Sequence, residues 1–414
     1  MSGAPQVFST NSDSTSNGKV VAASGARVQA GGFNLPVSQG VSLNSDLKHE
    51  TLIIPSSSAP GFGSFFTIDI KEKNILLNNV TLQFMTSARI GTALVGYFNP
   101  AFFWFTRIEL VQGGTVIDNI YGNQQHIMQQ ILEWDEDRLA INNAAGNYAS
   151  SAQRTTLSSQ TTQNVVYANL RTYFDQAKVA LLSDAHNIQL RVYMDTLPNV
   201  YNVVSGSLQS CTLLSCNAIC KVTRLDLNSV AVRVEDMRLR NNHAIMHSLS
   251  YANLNVAIGN SSTTLVLSSI VGNVAALFFT IRPSAIGAAA WNYSQLASFS
   301  LLDAAGTNLV GGQPLPSAFA LQLLNKDWMK SSYNTETSYG TNNQGANVYM
   351  WSFSCDPVAA LSNGQALSSR KMTGNEQLVL NFPSALTSAV QVEVYAFVES
   401  VLEQTLTLVR KISL

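Results

Sequence analysis

From Asn164 to Asp195 the chain reads NVVYANLRTYFDQAKVALLSDAHNIQLRVYMD, and its polarity is ordered. Ile188, Leu190, Val192 and Met194 alternate with Gln189, Arg191, Tyr193 and Asp195. A period of two marks a strand with one buried face. Val165 to Tyr173 predicts a second strand. Asp175 to His186 predicts a compact connection carrying the apolar run Val179 to Leu182. The same grammar recurs along the chain. Phe65–Ile70, Val80–Met85, Phe102–Val111, Val116–Ile120, Thr212–Leu225 and Ser229–Val234 predict strands in the first half, with Val80, Leu82 and Phe84 facing inward. The second half offers Leu249–Ile258, Ser262–Ser268, Val274–Ile281, Phe299–Leu302, Tyr349–Ser354, Leu378–Phe382, Val390–Val398 and Leu402–Ile412. In the last group Val390, Val392 and Val394 alternate with Gln391, Glu393 and Tyr395, the pattern of a half-buried strand.

Punctuation between these runs sharpens the picture. Gln112-Gly113-Gly114-Thr115 predicts a hairpin turn, with glycines where φ is positive. The best helix signal is Gln124 to Leu139, with Ile127, Ile131 and Leu132 as its stripe. Glu133, Asp135, Glu136 and Asp137 then stand at its C-terminal end, where they oppose the macrodipole. Residues 141 to 164 predict a long polar loop, and Pro198 to Gln209 a shorter one. About eight strands per half, joined by long crossovers, fit an all-β chain of two consecutive eight-stranded jelly-roll barrels with a few short helices. The division expected is an extended N-terminal arm over 1–48, a first barrel over 49–237, a linker over 238–247 and a second barrel over 248–414.

Composition narrows the function. Of the 414 residues only 12% are charged, about half the usual share, against 46% hydrophobic. The polar surface must therefore come from Ser, Thr, Asn and Gln, which suits broad β surfaces packed against neighbours. Net charge is −1 and no basic block occurs. Binding nucleic acid needs clustered Lys and Arg to displace counterions, so no direct genome contact is expected. The N-terminus shows no signal peptide, and no apolar run is long enough for a membrane helix. Cys211, Cys216, Cys220 and Cys355 lack metal-knuckle spacing and read as small buried thiols, with Cys216 and Cys220 on one strand face.

Catalytic signatures are absent. The chain holds no G-x-S-x-G elbow, no phosphate loop, no G-x-G-x-x-G and no H-E-x-x-H. His243 and His247 could share a helix face as metal ligands, but polar linker chemistry explains them better. Glu133, Asp135, Glu136 and Asp137 could be proposed as glycosidase carboxylates or as cation ligands at a subunit contact. Solvated or salt-bridged acids are the simpler reading. Phe102 to Phe105, read as strand, would point aromatics to both faces, so one set needs cover from a neighbouring element or subunit. No catalytic, cofactor or metal residue is therefore assigned.

Three stretches carry a family resemblance. Phe105 to Asn119, FTRIELVQGGTVIDN, resembles a first-barrel hairpin in which an I-E-L strand, a Gly-rich turn and an Ile-Asp return precede a helix. Tyr167 to Val192 resembles the crossover of the same barrel, and Met350 to Ile412 the C-terminal strands. Together they resemble the double jelly-roll major capsid proteins of the lineage of tailless lipid-containing phages, adenovirus hexon, virophages and large eukaryotic DNA viruses. Leu182-Ser183 lacks the proline often found in that crossover. The resemblance implies a non-enzymatic, cofactor-free virion protein, made in the host cytoplasm. It implies homotrimers that form pseudo-hexagonal capsomers and tile an icosahedral shell. Partners would be neighbouring capsomers, minor capsid or vertex proteins, and an internal lipid membrane where one is present. The alternative reading is a β-sandwich carbohydrate- or receptor-binding virion protein, spike-like or lectin-like.

Overall fold

The computed structural model of the chain describes residues 27–30, 33–36, 48–132, 135–146, 163–172, 181–182, 186–225, 242–284, 293–310, 348–354, 369–404 and 409–413. Within the expected arm, β1 (Arg27–Ala30) and β2 (Phe33–Pro36) pair antiparallel with each other. The rest of 1–47 lies outside the described residues.

The first half is built on eight strands in jelly-roll order. They are β3 (Lys48–Pro55), β4 (Phe65–Ile70), β5 (Ile75–Thr86), β7 (Phe105–Gln112), β8 (Thr115–Tyr121), β9 (Asn164–Leu170), β11 (Ile188–Met194) and β13 (Leu213–Arg224). β10 (Leu181–Leu182) adds two residues beside β5. One sheet runs β10-β5-β13-β3 with β9 also on β5, and the other runs β4-β11-β7-β8. In order along the chain, the first strand pairs the eighth, the eighth the third, and the third the sixth. The second pairs the seventh, the seventh the fourth, and the fourth the fifth. This is the double Greek key of a jelly roll. β11 is buried at Ile188, Leu190, Val192 and Met194 only, as its alternation predicts, and lies between β4 and β7.

The second half repeats the plan with β14 (Asn242–Val256), β15 (Ser262–Val266), β16 (Val271–Pro283), β17 (Ser298–Leu302), β18 (Tyr349–Ser352), β19 (Arg370–Thr373), β20 (Gln377–Asn381) and β21 (Val390–Gln404). β14-β21-β16-β18, with β19 also on β16, repeats the first, eighth, third, sixth order, and β15-β20-β17 repeats the second, seventh, fourth. The fifth position of the plan has no counterpart among the described residues. Each half closes over its own apolar core. Ile68, Val80, Leu82, Leu110, Leu190 and Cys216 typify the first, and Val274, Leu277, Leu301, Leu380, Val392 and Val394 the second. The chain is thus a double jelly roll.

Several expectations are corrected. The single helix over Gln124–Leu139 is two: α1 (Gly122–Leu132) and α2 (Asp135–Ala144). Asp135, Glu136 and Asp137 therefore open a helix instead of closing one, the end at which negative charge is favoured. Glu133 lies outside the described residues. α2 also takes the first residues of the loop expected from 141 onward. Phe102–Trp104 are not strand but lie in a 3-10 turn over Ala101–Trp104, which buries all four side chains. Their aromatics thus need no external cover. Trp104 packs against Phe62, Phe84 and Phe98, and its indole donates to Asn99 O at 2.6 Å. Gly122 begins α1 so close to this turn that a Cβ would sit 1.9 Å from Phe102 O.

The loop expected over Pro198–Gln209 is a short helix, α3 (Leu197–Val200), and a strand, β12 (Tyr201–Ser210). β12 pairs with β6 (Ile90–Phe98) as a separate two-stranded ribbon. Gly91 and Gly96 interrupt β6, Ser205, Gly206 and Ser207 interrupt β12, and the register shifts three times, so period-two reading misses them. Asn242–His247, expected in the linker, belong to β14 and pair with Gln404–Glu399. Leu402–Gln404 continue β21, and β22 (Val409–Ser413) folds back on it. Residues 229–234 lie outside the described residues, as do Val179 and Ala180.

Candidate functional site at the junction of the two barrels

Alternation with the inward valines places Gln391, Glu393 and Tyr395 on the solvent side of a half-buried strand. Glu393 is only 4% exposed, Tyr395 1% and Phe397 2%. The cause is α1, which lies on the outer face of the β14-β21-β16-β18 sheet. Ile127 and Met128 from α1 form a third apolar cluster with Leu249, Phe278, Met350, Tyr395 and Phe397. Phe278 and Phe397 meet edge to face at 5.2 Å, while Tyr121 of β8 stacks on Tyr251 of β14 at 4.6 Å. The Gly-rich turn matters here. Gly113 and Gly114 have φ of 56° and 84° and swing β8 back beside β7, which delivers α1 to the second barrel.

A polar network runs through the cluster. Glu393 accepts from Asn123 Nδ2 at 2.5 Å and from Tyr251 OH at 3.1 Å, and pairs with Arg282 at 3.0 Å. Asn123 also donates to Thr280 Oγ1 at 2.9 Å and accepts from Tyr293 OH at 2.6 Å. With the Tyr293 proton given to Asn123, His126 Nδ1 carries the proton in the 2.9 Å contact to Tyr293 OH. His126 is fully buried, and burial pushes its pKa down to about 3. Tyr251 and Tyr395 are raised above the ordinary tyrosine range, mainly by burial and then by the Glu393 charge.

The C-terminus ties the barrels a second time. Leu402 of β21 and Val409 of β22 pack into the core of the first barrel. Thr115 Oγ1 donates to Val409 O at 2.7 Å. A cleft of about 330 Å³ opens beside the junction, walled by Arg107, Tyr193 and Asp195 from one barrel and Tyr251, Arg282 and Glu393 from the other. Its charged groups are largely used internally: Arg107 pairs with Glu109 at 2.9 Å and Arg282 with Glu393.

The candidates considered for chemistry come apart. His243 and His247 stand on β14, not on a helix. Four strand residues span about 13 Å, too far for one metal ion. Among the described residues no group of three His, Cys, Asp or Glu could hold a metal. Asp135, Glu136 and Asp137 lie on a different helix from the junction residues of α1. Cys216 and Cys220 face the first core together, and burial raises both thiols, Cys220 to about 12. Cys355 lies outside the described residues. Among the described residues no helix is long and apolar enough to cross a membrane. The network of Asn123, His126, Arg282, Tyr293 and Glu393 is what pattern reading missed. Its one signal was a carboxylate at position 393, inside an otherwise apolar run.

Two jelly rolls that repeat one strand order and share a covered sheet face define a double jelly roll. PBCV-1 VP54, as fitted into a reconstruction of the virophage Sputnik, matches with a TM-score of 0.65 at 13% identity, over 88% of this chain and 97% of that one. The Faustovirus major capsid protein matches with a TM-score of 0.60 at 9% identity, over 90% and 92%. The mavirus major capsid protein matches with 0.53 at 10% identity, over 91% and 92%. At these identities the likeness is one of fold. No protein-family model and no curated protein matches the chain.

Proposed function

We propose that this chain is the major capsid protein of an icosahedral virion, and that three copies associate into a pseudo-hexagonal capsomer. The observation that carries the reading is the repeated strand order. Two barrels joined through a covered face make a rigid block with two near-equivalent lobes, and the same plan spans more than nine-tenths of the Faustovirus and mavirus capsid proteins. Three such blocks supply six lobes, the number a hexagonal tile requires. The low charge supports it, since extensive obligate interfaces lose charge at their centres. In this reading the lobes correspond to 49–237 and 248–414. The stretch 238–247 joins them, although its residues from Asn242 are already β14. The protein works by assembly, not catalysis. Its partners are copies of itself, neighbouring capsomers, minor capsid or vertex proteins and, where present, an internal membrane. It acts in the virion after synthesis in the host cytoplasm.

Native mass spectrometry with negative-stain imaging of the purified chain tests this. Trimers, imaged as hexagonal particles of six lobes, are expected. A stable monomer at micromolar concentration, with no higher assembly, overturns the proposal.

A further inference from the structure

The root of the β6–β12 ribbon brings together polar side chains that serve no bond described so far. β5 ends at Thr86, Arg89 leads into β6, Tyr201 begins β12, and Cys211 follows its last residue. The two ends are fastened to each other. Ser87 N donates to Thr212 O at 2.8 Å, and Thr212 N donates to Ser87 Oγ at 2.9 Å. The Arg89 guanidinium lies over the Tyr201 ring, with Cζ 5.1 Å from its centroid. Arg89 Nε and Nη1, Tyr201 OH and Thr86 Oγ1 are all buried, and none has a hydrogen-bond partner among the described residues. Cys211 completes the group, its Sγ 3.6 Å from Ser87 O. Burial draws Arg89 below the ordinary arginine value and pushes the Cys211 thiol up.

The chemistry of this group points one way. A guanidinium only donates, and hydroxyl and thiol groups can each donate. No carboxylate of the described residues forms an ion pair with Arg89, although Arg107, Arg191, Arg224, Arg282, Arg370 and Arg410 all have one. A buried positive edge costs free energy unless an anion meets it, and unpaired hydroxyls add to that cost. Packing on Tyr201 holds the guanidinium plane in place. A guanidinium N–H bonds most strongly to a charged oxygen such as that of a carboxylate.

We infer that the root of the β6–β12 ribbon is an anion site that takes a carboxylate, held by the Arg89 guanidinium with Tyr201 and Thr86 hydroxyls donating beside it. The same chemistry has two sources, a free small carboxylate or the side chain of a neighbouring protein chain. The site stands independently of the capsid reading.

The test is titration of the full chain with sodium acetate at fixed pH and ionic strength, read by line broadening of the acetate NMR signal and by the thermal midpoint. The wild type saturates. Arg89→Gln weakens acetate binding about 10- to 100-fold, the range of a charge-assisted hydrogen-bonded pair. Tyr201→Phe keeps the ring beneath the guanidinium and weakens it less. Where Arg89→Gln does not fold, Arg89→Lys keeps the charge, loses the planar guanidinium stacked on Tyr201 and still binds more weakly. Sedimentation of the same proteins separates the sources. A neighbouring chain's carboxylate makes Arg89→Gln associate more weakly and lets acetate compete with wild-type association. A free anion leaves association unchanged. An acetate response that is absent, or equal in wild type and Arg89→Gln, with association also unchanged, overturns the site.

Discussion

The outer faces of the two equivalent sheets have the same backbone and opposite chemistry. On the second barrel, the third and eighth strands, β16 and β21, turn Phe278, Tyr395 and Phe397 outward under α1. On the first barrel, the third and eighth strands, β5 and β13, turn out Thr81, Gln83, Asn217 and Ile219 instead. There a polar ladder replaces the apolar cluster. Asn217 Nδ2 donates to Gln83 Oε1 at 2.9 Å, Gln83 Nε2 to Tyr167 OH at 3.1 Å, and Thr81 Oγ1 to Asn169 Oδ1 at 3.0 Å. Ile53 at its edge is 66% exposed. The strand order fixes where a side chain points. What lies beyond the sheet decides its chemistry: a helix of the same chain covers one face, and no described element of this chain covers the other.

The largest effect should come from breaking the covered face. Phe397→Ala removes a fully buried ring that meets Phe278 across the sheet, and should cost about 3–5 kcal/mol in urea unfolding. A cost below about 1 kcal/mol would mean that α1 rests on the second barrel without cohering with it.

How much of this was legible in sequence follows from the same contrast. Strands with one wet face were read correctly, because alternation reports the difference between the two sides. β11 and the inward Val80, Leu82 and Phe84 are cases. Strand β21 was read half right. Its inward valines were visible, but Gln391, Glu393 and Tyr395 look like solvent-facing residues until α1 is placed over them. The network fails for the same reason. Asn123 and Glu393 are 270 positions apart, and no local pattern couples them. The β6–β12 ribbon was missed because β12 buries little beyond Tyr201, and periodicity appears only where burial selects it. The acidic run was misplaced because α1 ends at Leu132 and Asp135 is the first residue of α2. No chemical site was expected, and the junction network is a polar seam without an assigned reaction.

An intermediate effect should follow from acid. His126 is fully buried and neutral, with Tyr293 on Nδ1, the Phe103 ring 5.1 Å away, and Glu393 and Arg282 beyond Asn123. Its pKa falls from 6.5 in the unfolded chain to about 3 in the folded one. The unfolded state therefore binds the extra proton first. Stability is full above about pH 6.5 and declines as pH falls toward about 3, by about 2 kcal/mol at pH 5. Chemical unfolding across pH 4–7 checks this, with His126→Asn as the reference. The substitution keeps a donor for Tyr293 and should remove most of the decline. An identical slope in both proteins would place the acid sensitivity elsewhere.

The smallest effect belongs to the uncovered face, and it discriminates best. Gln83 is the centre of the ladder, with its oxygen bonded to Asn217 and its nitrogen to Tyr167. All three side chains are partly exposed. In the isolated chain water can replace Gln83, so Gln83→Ala should cost less than about 1 kcal/mol. If a second copy covers this face in an assembly, Asn217 and Tyr167 would lose both Gln83 and water. The same substitution would then cost about 1–3 kcal/mol of association free energy. Sedimentation of wild type and Gln83→Ala over a concentration series measures the association term, and urea unfolding of the isolated chain measures the other. A larger loss in association than in folding marks the face as an interface between chains. Equal small losses mean that it stays wet, and that the polar ladder is the finished surface of the first barrel.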